Sequence, residues 1–310
     1  MTGDRAPDPS SVRLDGPWTH RDVHANGIRH HVAEIDGGGP LVLLLHGFPE
    51  FWWSWSAVMP GLAESGARVV AVDLRGYGDT DKPPRGYDGW TLAGDVSGLV
   101  RALGERSAVV VGADWGGLIG WATAALHPGV VRGLGVLGAP HPVTLRRAIR
   151  REPRRQGRAL GAAVGYQLPW RPERRLVADR AAAVEDVLRR WSGPGWPQQA
   201  SFAAVARRDA DALRIPGVVH SAMEYYRWAV RSQVRAEGHR FAVDASRPVD
   251  VPVLALHGEL DPWLLLRTAR RSSEHAPGME LRALPGVGHF PHHEAPAEVT
   301  AALRDLVRSC

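Results

Sequence analysis

Along the chain, short runs of uninterrupted apolar residues alternate with stretches in which apolar positions recur every three or four residues. PLVLLLHG (Pro40–Gly47), RVVAVDL (Arg68–Leu74) and SAVVVGA (Ser107–Ala113) are runs of the first kind, and Val130–Pro140, Val251–Gly258 and Met279–Gly286 continue the series. Brief all-apolar segments of this kind fit strands buried on both faces. Helical spacing marks Trp55–Ser65, Thr91–Leu103, Trp115–His127 and Ala295–Val307. Strands alternating with helices imply an α/β architecture with a mostly parallel sheet covered on both sides. Ahead of them, His20–Val23 and His30–Ile35 flank Asn26-Gly27. That dipeptide tolerates the positive φ of a two-residue turn, so a hairpin is expected there, forming an antiparallel edge.

The alternation stops between Pro140 and about Ser246. This stretch shows no convincing strand but has helical spacing at Val177–Trp191, Phe202–Ile215 and Val218–Val234, and it carries Trp170, Trp191, Trp196 and Trp228. It is expected to be a helical cap over the carboxyl ends of the strands, where open α/β sheets hold their ligands. The chain then divides into a first core part at 1–140, a cap at 141–246 and a second core part at 247–310. The opening MTGDRAPDPSSVRLDG is polar, rich in proline and without an apolar signal core, and reads as a loose tail.

Composition changes this picture little. The 310 residues are 44% hydrophobic and 23% charged, as in ordinary globular chains. Apolar runs stay well short of the ~18 residues a membrane helix needs, so no membrane partner is expected. The single cysteine, Cys310, rules out an intramolecular disulfide and a cysteine metal cluster, and fits a cytoplasmic protein. The net charge of +5 comes from arginines mostly interleaved with acids, Lys82 being the one lysine. The densest basic run, Arg146–Arg158, reads as a solvated face, and no nucleic acid is expected. No phosphate loop, dinucleotide fingerprint or metal-ligand spacing occurs, so no cofactor is expected. Oligomeric state is left open, a homodimer being one option.

The candidate chemistry begins at VVVGADWGGLIGW (Val109–Trp121), where a strand-like run meets a helical one. The junction has the form of a nucleophile elbow with aspartate in place of serine. Taken alone, Asp114 could simply cap the following helix. Gly112, Gly116 and Gly117 are what a tight elbow requires, and a carboxylate there can act as a covalent nucleophile. Partners follow in the order nucleophile, acid, histidine. Asp261 lies just past Val251–Gly258, and His289 follows the last strand in GVGHFPHHEAP. His292 and His293 are rivals of His289 and are expected to lie outside the site.

These segments, together with LHGFPEFWWSW (Leu45–Trp55), DLRGYGDTDKP (Asp73–Pro83), GAPHP (Gly138–Pro142), YYRW (Tyr225–Trp228) and HGELDPW (His257–Trp263), resemble the epoxide hydrolases of the α/β-hydrolase fold over nearly the whole chain. The resemblance implies conversion of an apolar epoxide and water to a vicinal diol through an ester on Asp114, with His289 as base oriented by Asp261. It implies Tyr226 as proton donor and the backbone N–H groups of Phe48 and Trp115 as an oxyanion hole, with a cis peptide between Phe48 and Pro49. His46, Pro49, Trp115 and Tyr225 complete the residues it places around the substrate, although Tyr225, on another helix face from Tyr226, is expected rather to pack in the cap. The family usually has a second tyrosine four residues before an aromatic-Gln-x-Pro run. Here the run is YQLP (Tyr166–Pro169) and that position is Ala162, so either Tyr166 takes over the role, or it only packs and one donor suffices, or the substrate is not a simple epoxide. Two alternatives stay open: a haloalkane dehalogenase using the same nucleophile, and a non-catalytic binding protein that kept the fold.

Overall fold

The computed structural model describes residues 6–310, the side chain of Ala162 excepted. Asn26 and Gly27 both take positive φ (48° and 80°), which reverses the chain in two residues. β1 (Thr19–Ala25) and β2 (Ile28–Ile35) therefore pair antiparallel, with Ala25 opposite Ile28. The apolar runs become β3 (Leu41–Leu45), β4 (Arg68–Val72), β5 (Ala108–Ala113), β6 (Val131–Leu137), β7 (Val253–Gly258) and β8 (Glu280–Leu284). One sheet holds all eight strands in the order β1-β2-β4-β3-β5-β6-β7-β8. β2 meets β4 antiparallel, and every later pairing is parallel. The mostly parallel sheet with an antiparallel edge is as expected.

Every residue of β3, β5 and β7 is buried. Each fully buried Val or Leu contributes roughly 1.5–3 kcal/mol, so these central strands carry much of the folding free energy. Two helix pairs cover the sheet. α1 (Met59–Glu64) packs with the C-terminal helix Pro296–Ser309, and α2 (Gly89–Ala102) packs with α3 (Trp115–Leu126).

Between β6 and β7 the described chain is helical: α4 (Pro142–Arg151), α5 (Gly161–Gly165), α6 (Arg171–Trp191), α7 (Ala200–Leu213), α8 (Val218–Arg231) and α9 (Ala236–Asp244). α6 consists of two helical pieces joined through non-helical backbone at Ala178–Ala181. Side chains fasten this segment to the loop after β4 and to the start of α2. Tyr225 Oη donates to Arg75 O (2.8 Å), Tyr87 Oη to Ser221 Oγ (2.9 Å) and Trp90 Nε1 to Asp244 Oδ2 (3.0 Å). Two further short helices, α10 (Leu266–Arg270) and α11 (Pro291–Glu294), precede the terminal helix, α12.

Two expectations are corrected. The N-terminal stretch is seated from Asp8 onward, whose Oδ1 accepts Ser10 N–H (2.9 Å) at the head of a 3-10 turn, Pro9–Val12. Val12 is buried and its carbonyl takes the Trp52 indole N–H (2.8 Å), while Arg13 bridges Asp79 and Asp22 (2.7 and 2.6 Å). One apolar residue and one doubly paired arginine override the polar composition; residues 1–5 lie outside the described set. The basic run from Arg146 is only partly a solvated face. Arg146 donates to the carbonyls of Gly238 and Gln233 and Arg150 to that of Gln233, tying α4 to the segment around α9.

Arg75, just beyond β4, makes two bonds to the Asp95 carboxylate of α2 (2.7 and 2.6 Å), with both side chains buried. Removing one partner of such a pair strands the other. Arg75→Met is expected to cost about 3 kcal/mol, and Arg75→Met with Asp95→Leu clearly less. Urea unfolding midpoints check this, and equal losses in both variants would refute it.

Candidate active site

The order of the sheet reverses at β3. The chain runs from β3 to β4 on one side and returns to β5 on the other. Ligands of open α/β sheets sit outside the carboxyl ends of strands at such a reversal. Gly47 and Phe48 follow β3, Asp114 follows β5, Asp261 follows β7 and His289 follows β8. Four separate strands thus deliver these residues to one end of the sheet.

The elbow is a backbone contact before it is a chemical site. Asp114 sits at φ 45°, ψ −115°, a conformation costing roughly 1–3 kcal/mol that persists only where its surroundings enforce it. A Cβ on Gly112 would lie 2.2 Å from the Gly116 carbonyl, and one on Gly116 would lie 2.2 Å from Leu45 O. Glycine at both positions lets α3 start directly against β5 and the end of β3. Gly116 N–H donates to His46 O (3.1 Å) and Asp114 N–H to Leu137 O (3.1 Å), pinning the turn from both neighbouring strands. The Asp114 side chain does not cap α3; its Oδ2 accepts the backbone N–H of Phe48 at 3.0 Å.

Asp261 accepts the N–H groups of Trp263 and Leu264 on Oδ1 (2.8 and 2.9 Å). Its Oδ2 takes His289 Nδ1 at 2.8 Å, which turns Nε2 toward Asp114 Oδ1 at 3.5 Å. All three side chains are buried. Burial alone would depress the His289 imidazole. The Asp261 charge and then the Asp114 carboxylate outweigh it and raise the pKa to about 10. The arrangement can attack an electrophilic carbon with a carboxylate and can hold or move a proton at Nε2.

Asp114, Trp115 and Tyr226 line a largely apolar cavity of about 250 Å³ that runs on past Ile119, Trp228 and Phe241. Tyr226 Oη and Trp115 Nε1 are buried without a hydrogen-bond partner. Burial, then the Asp114 charge, pushes the Tyr226 phenol well above its usual pKa, keeping it protonated. Tyr166 packs its ring on those of Tyr226 (5.0 Å between centroids) and Phe48 (6.4 Å). Ala162 falls in α5, its side chain outside the described set.

Of the four expected substrate contacts only Trp115 lines this cavity. Tyr225 is drawn away by its bond to Arg75 O and packs edge-on against Tyr77 and Trp115. His46 lies against Tyr77, with Nε2 accepting Leu74 N–H (3.1 Å) and Nδ1 toward Gly47 O (2.8 Å). Pro49 follows Phe48 through a cis peptide bond. His292 and His293 are held apart from the trio: both Nε2 atoms face Glu50 Oε1, at 2.6 and 3.0 Å.

Residues given no role at the site from the sequence complete the setting. Trp191 stacks on Trp263 (4.3 Å) and meets the His289 ring edge-on (5.3 Å). Glu294 Oε2 accepts Gly288 N–H and Gly193 N–H (both 2.8 Å), and Oε1 accepts Phe290 N–H (3.1 Å). It therefore brackets His289 on both sides and joins that loop to the inserted helices. No periodicity marks it; its one signal is an acid five residues after the histidine.

A family model described as the alpha/beta hydrolase fold matches residues 40–296, and the chain belongs to that family. Its relatives narrow the class. The AB hydrolase superfamily protein YfhM of Bacillus subtilis is 30% identical over 298 residues, spanning 93% of this chain and 97% of that one. Epoxide hydrolase A of Mycobacterium tuberculosis is 30% identical over 318 residues, 94% of this chain and 98% of that one. The crystal structure of Bacillus megaterium epoxide hydrolase with an inhibitor superposes with a TM-score of 0.79 at 25% identity, covering 93% and 100% of the two chains. Within the family, the chain groups with the epoxide hydrolases.

Glu294→Ala leaves three backbone N–H groups without their acceptor and is expected to lower stability by about 2 kcal/mol. Glu294→Gln, which keeps one oxygen, is expected to lose less. Unchanged urea midpoints in both would show that those groups find other partners.

Proposed function

We propose that the protein hydrolyses an apolar epoxide to a vicinal diol through an ester on Asp114. The observation that carries this reading is a buried carboxylate and a buried, unpartnered phenol on one apolar cavity, with an imidazole 3.5 Å from the carboxylate. The relatives named epoxide hydrolases support it. The helices between β6 and β7 then act as a cap, delivering Tyr226 and Tyr166.

One Asp114 oxygen attacks an epoxide carbon, the ring C–O bond breaks, and the departing oxygen takes the Tyr226 proton, Tyr166 serving as a second donor. The tyrosinate is then restored by the proton that His289 holds at rest. Esterification removes the Asp114 charge, one of the two supports of the raised imidazole pKa, so His289 becomes a competent base at the step that needs one. It takes a proton from water as the hydroxide adds to the ester carbonyl. The N–H groups of Phe48 and Trp115 stabilise the oxyanion. Collapse breaks the acyl C–O bond, the alkoxide recovers the proton from His289, and the proton left on Asp114 passes back to the imidazole. The cycle closes with both oxygens of the diol protonated.

A second reading rests on the Trp115 indole N–H, buried without an acceptor on the wall that holds Asp114. Such a donor suits a departing halide. Diol release from styrene oxide without halide release from bromoalkanes is the expected outcome; the reverse pattern replaces the first reading with the second.

A single turnover in heavy-oxygen water should leave the label in the Asp114 carboxyl group and not in the first diol. Label in that diol would eliminate the ester. Asp114→Asn abolishes turnover, and His289→Gln lets the ester accumulate, visible by intact-protein mass. Tyr226→Phe is expected to slow ring opening by about a hundredfold. Asp114→Asn should also move the His289 titration below about 10, because one charge favouring the imidazolium is gone. NMR of the imidazole checks this, and an unchanged midpoint would disconnect the two groups.

A further inference from the structure

Six large hydrophobic side chains are exposed among the described residues, and three of them fall between Val164 and Trp170: Val164 at 65%, Leu168 at 47% and Trp170 at 74%. They share one turn, in which Gln167 N–H donates to Val164 O (3.1 Å) and Leu168 N–H to Gly165 O (3.3 Å). On its inner side the turn sets Tyr166 against Phe48 and Tyr226. Gln167 Nε2 fastens it to Tyr226 O at 3.2 Å. Leu160, Ala163 and Val164 also line the cavity that contains Asp114. One turn is thus a wall of the reactive cavity on one side and bare apolar surface on the other.

The exposed charge around it is basic, the nearby acids Glu173 and Glu152 being half-buried and paired with Arg227 and with Arg267 and Arg271. Arg171, Arg174 and Arg175 follow Trp170, and Arg154, Arg155 and Arg158 precede the turn. All six are exposed, and among the described residues none pairs with a carboxylate. Arg190 and Arg175 lie near enough to Tyr166 for their charge to oppose the rise that burial imposes on its phenol. Exposed tryptophan and leucine amid arginines suit the boundary between anionic headgroups and acyl chains. Two copies meeting through this patch would press like charges together, which disfavours a twofold dimer there.

We propose that the turn Val164–Trp170 and its arginines dock on an anionic lipid surface, with Leu168 and Trp170 inserted, and that the cavity takes its apolar substrate from that surface. No helix among the described residues is long and apolar enough to cross a membrane, so the contact is peripheral. The expected absence of a membrane partner rested on the lack of a spanning segment, which this contact does not need. Docking stands on the exposed turn alone; only the loading of substrate rests on the epoxide reading.

Co-sedimentation of the full chain with phosphatidylcholine vesicles, with and without phosphatidylglycerol, tests the proposal. Binding is expected on the anionic vesicles. It should weaken about tenfold in Leu168→Ser/Trp170→Ser, whose charge is unchanged, and comparably when Arg171, Arg174 and Arg175 are replaced by Gln. Diol release from a water-soluble epoxide should be unchanged in the serine variant. Absence of vesicle binding overturns the proposal. So does equally tight binding by the serine variant, which marks mere adsorption to a polyanion. Self-association lost in that variant, without vesicle binding, assigns the patch to a second copy instead. Vesicle binding that persists while no epoxide is turned over leaves docking in place and removes the epoxide reading.

Discussion

Everything at the reactive end of the sheet depends on how closely the turn after β5 approaches the end of β3. Because Gly112 and Gly116 carry no side chains, the peptide planes of the elbow lie directly on the backbone of Leu45 and His46. That contact sets the strained φ of Asp114, and the strain in turn lifts its carboxylate off the helix axis and onto the Phe48 N–H. The central, wholly buried strands supply the rigidity that maintains a conformation the chain would otherwise abandon. Stability and chemistry meet here in backbone geometry, ahead of any choice of side chain.

The second constraint is electrostatic. His289 lies between two buried carboxylates, and with little water to screen them each strongly favours the imidazolium. Asp261 satisfies its remaining lone pairs on backbone N–H groups of its own loop and stays in place. Asp114 has Phe48 N–H on one oxygen and the imidazole beyond the other, so it is the carboxylate whose charge a reaction can change. In the proposed cycle the protonation of the base follows the state of the nucleophile.

Much of this was legible in the chain because it is local. Apolar runs bounded by glycine marked the strands, Asn26-Gly27 marked the hairpin, and the spacing of Asp114, Asp261 and His289 behind three of those runs predicted that they would meet. What was not legible depends on contacts between distant elements. Nothing in the neighbourhood of Val12 or Arg13 signals that Trp52, Asp79 and Asp22 will receive them. Tyr225 and Tyr226 were told apart by their helix faces, but that Tyr225 would be tied to the Arg75 carbonyl was not visible in the chain. The roles of Arg146 and Glu294 likewise lie in backbone groups that no side-chain pattern encodes.

The bracket around His289 constrains how the inserted helices can diverge. His289 N–H is held by Trp191 O at 2.8 Å, and Glu294 grips Gly193 two residues further on. The end of α6 is therefore mechanically part of the histidine loop, whereas α5 and the turn after it reach the cavity through Ala163, Val164, the Tyr166 ring and Gln167. Drift in sequence, natural or in the laboratory, can reshape the pocket freely around Tyr166. The stretch from Trp191 to Gly193 must move with His289 or not at all.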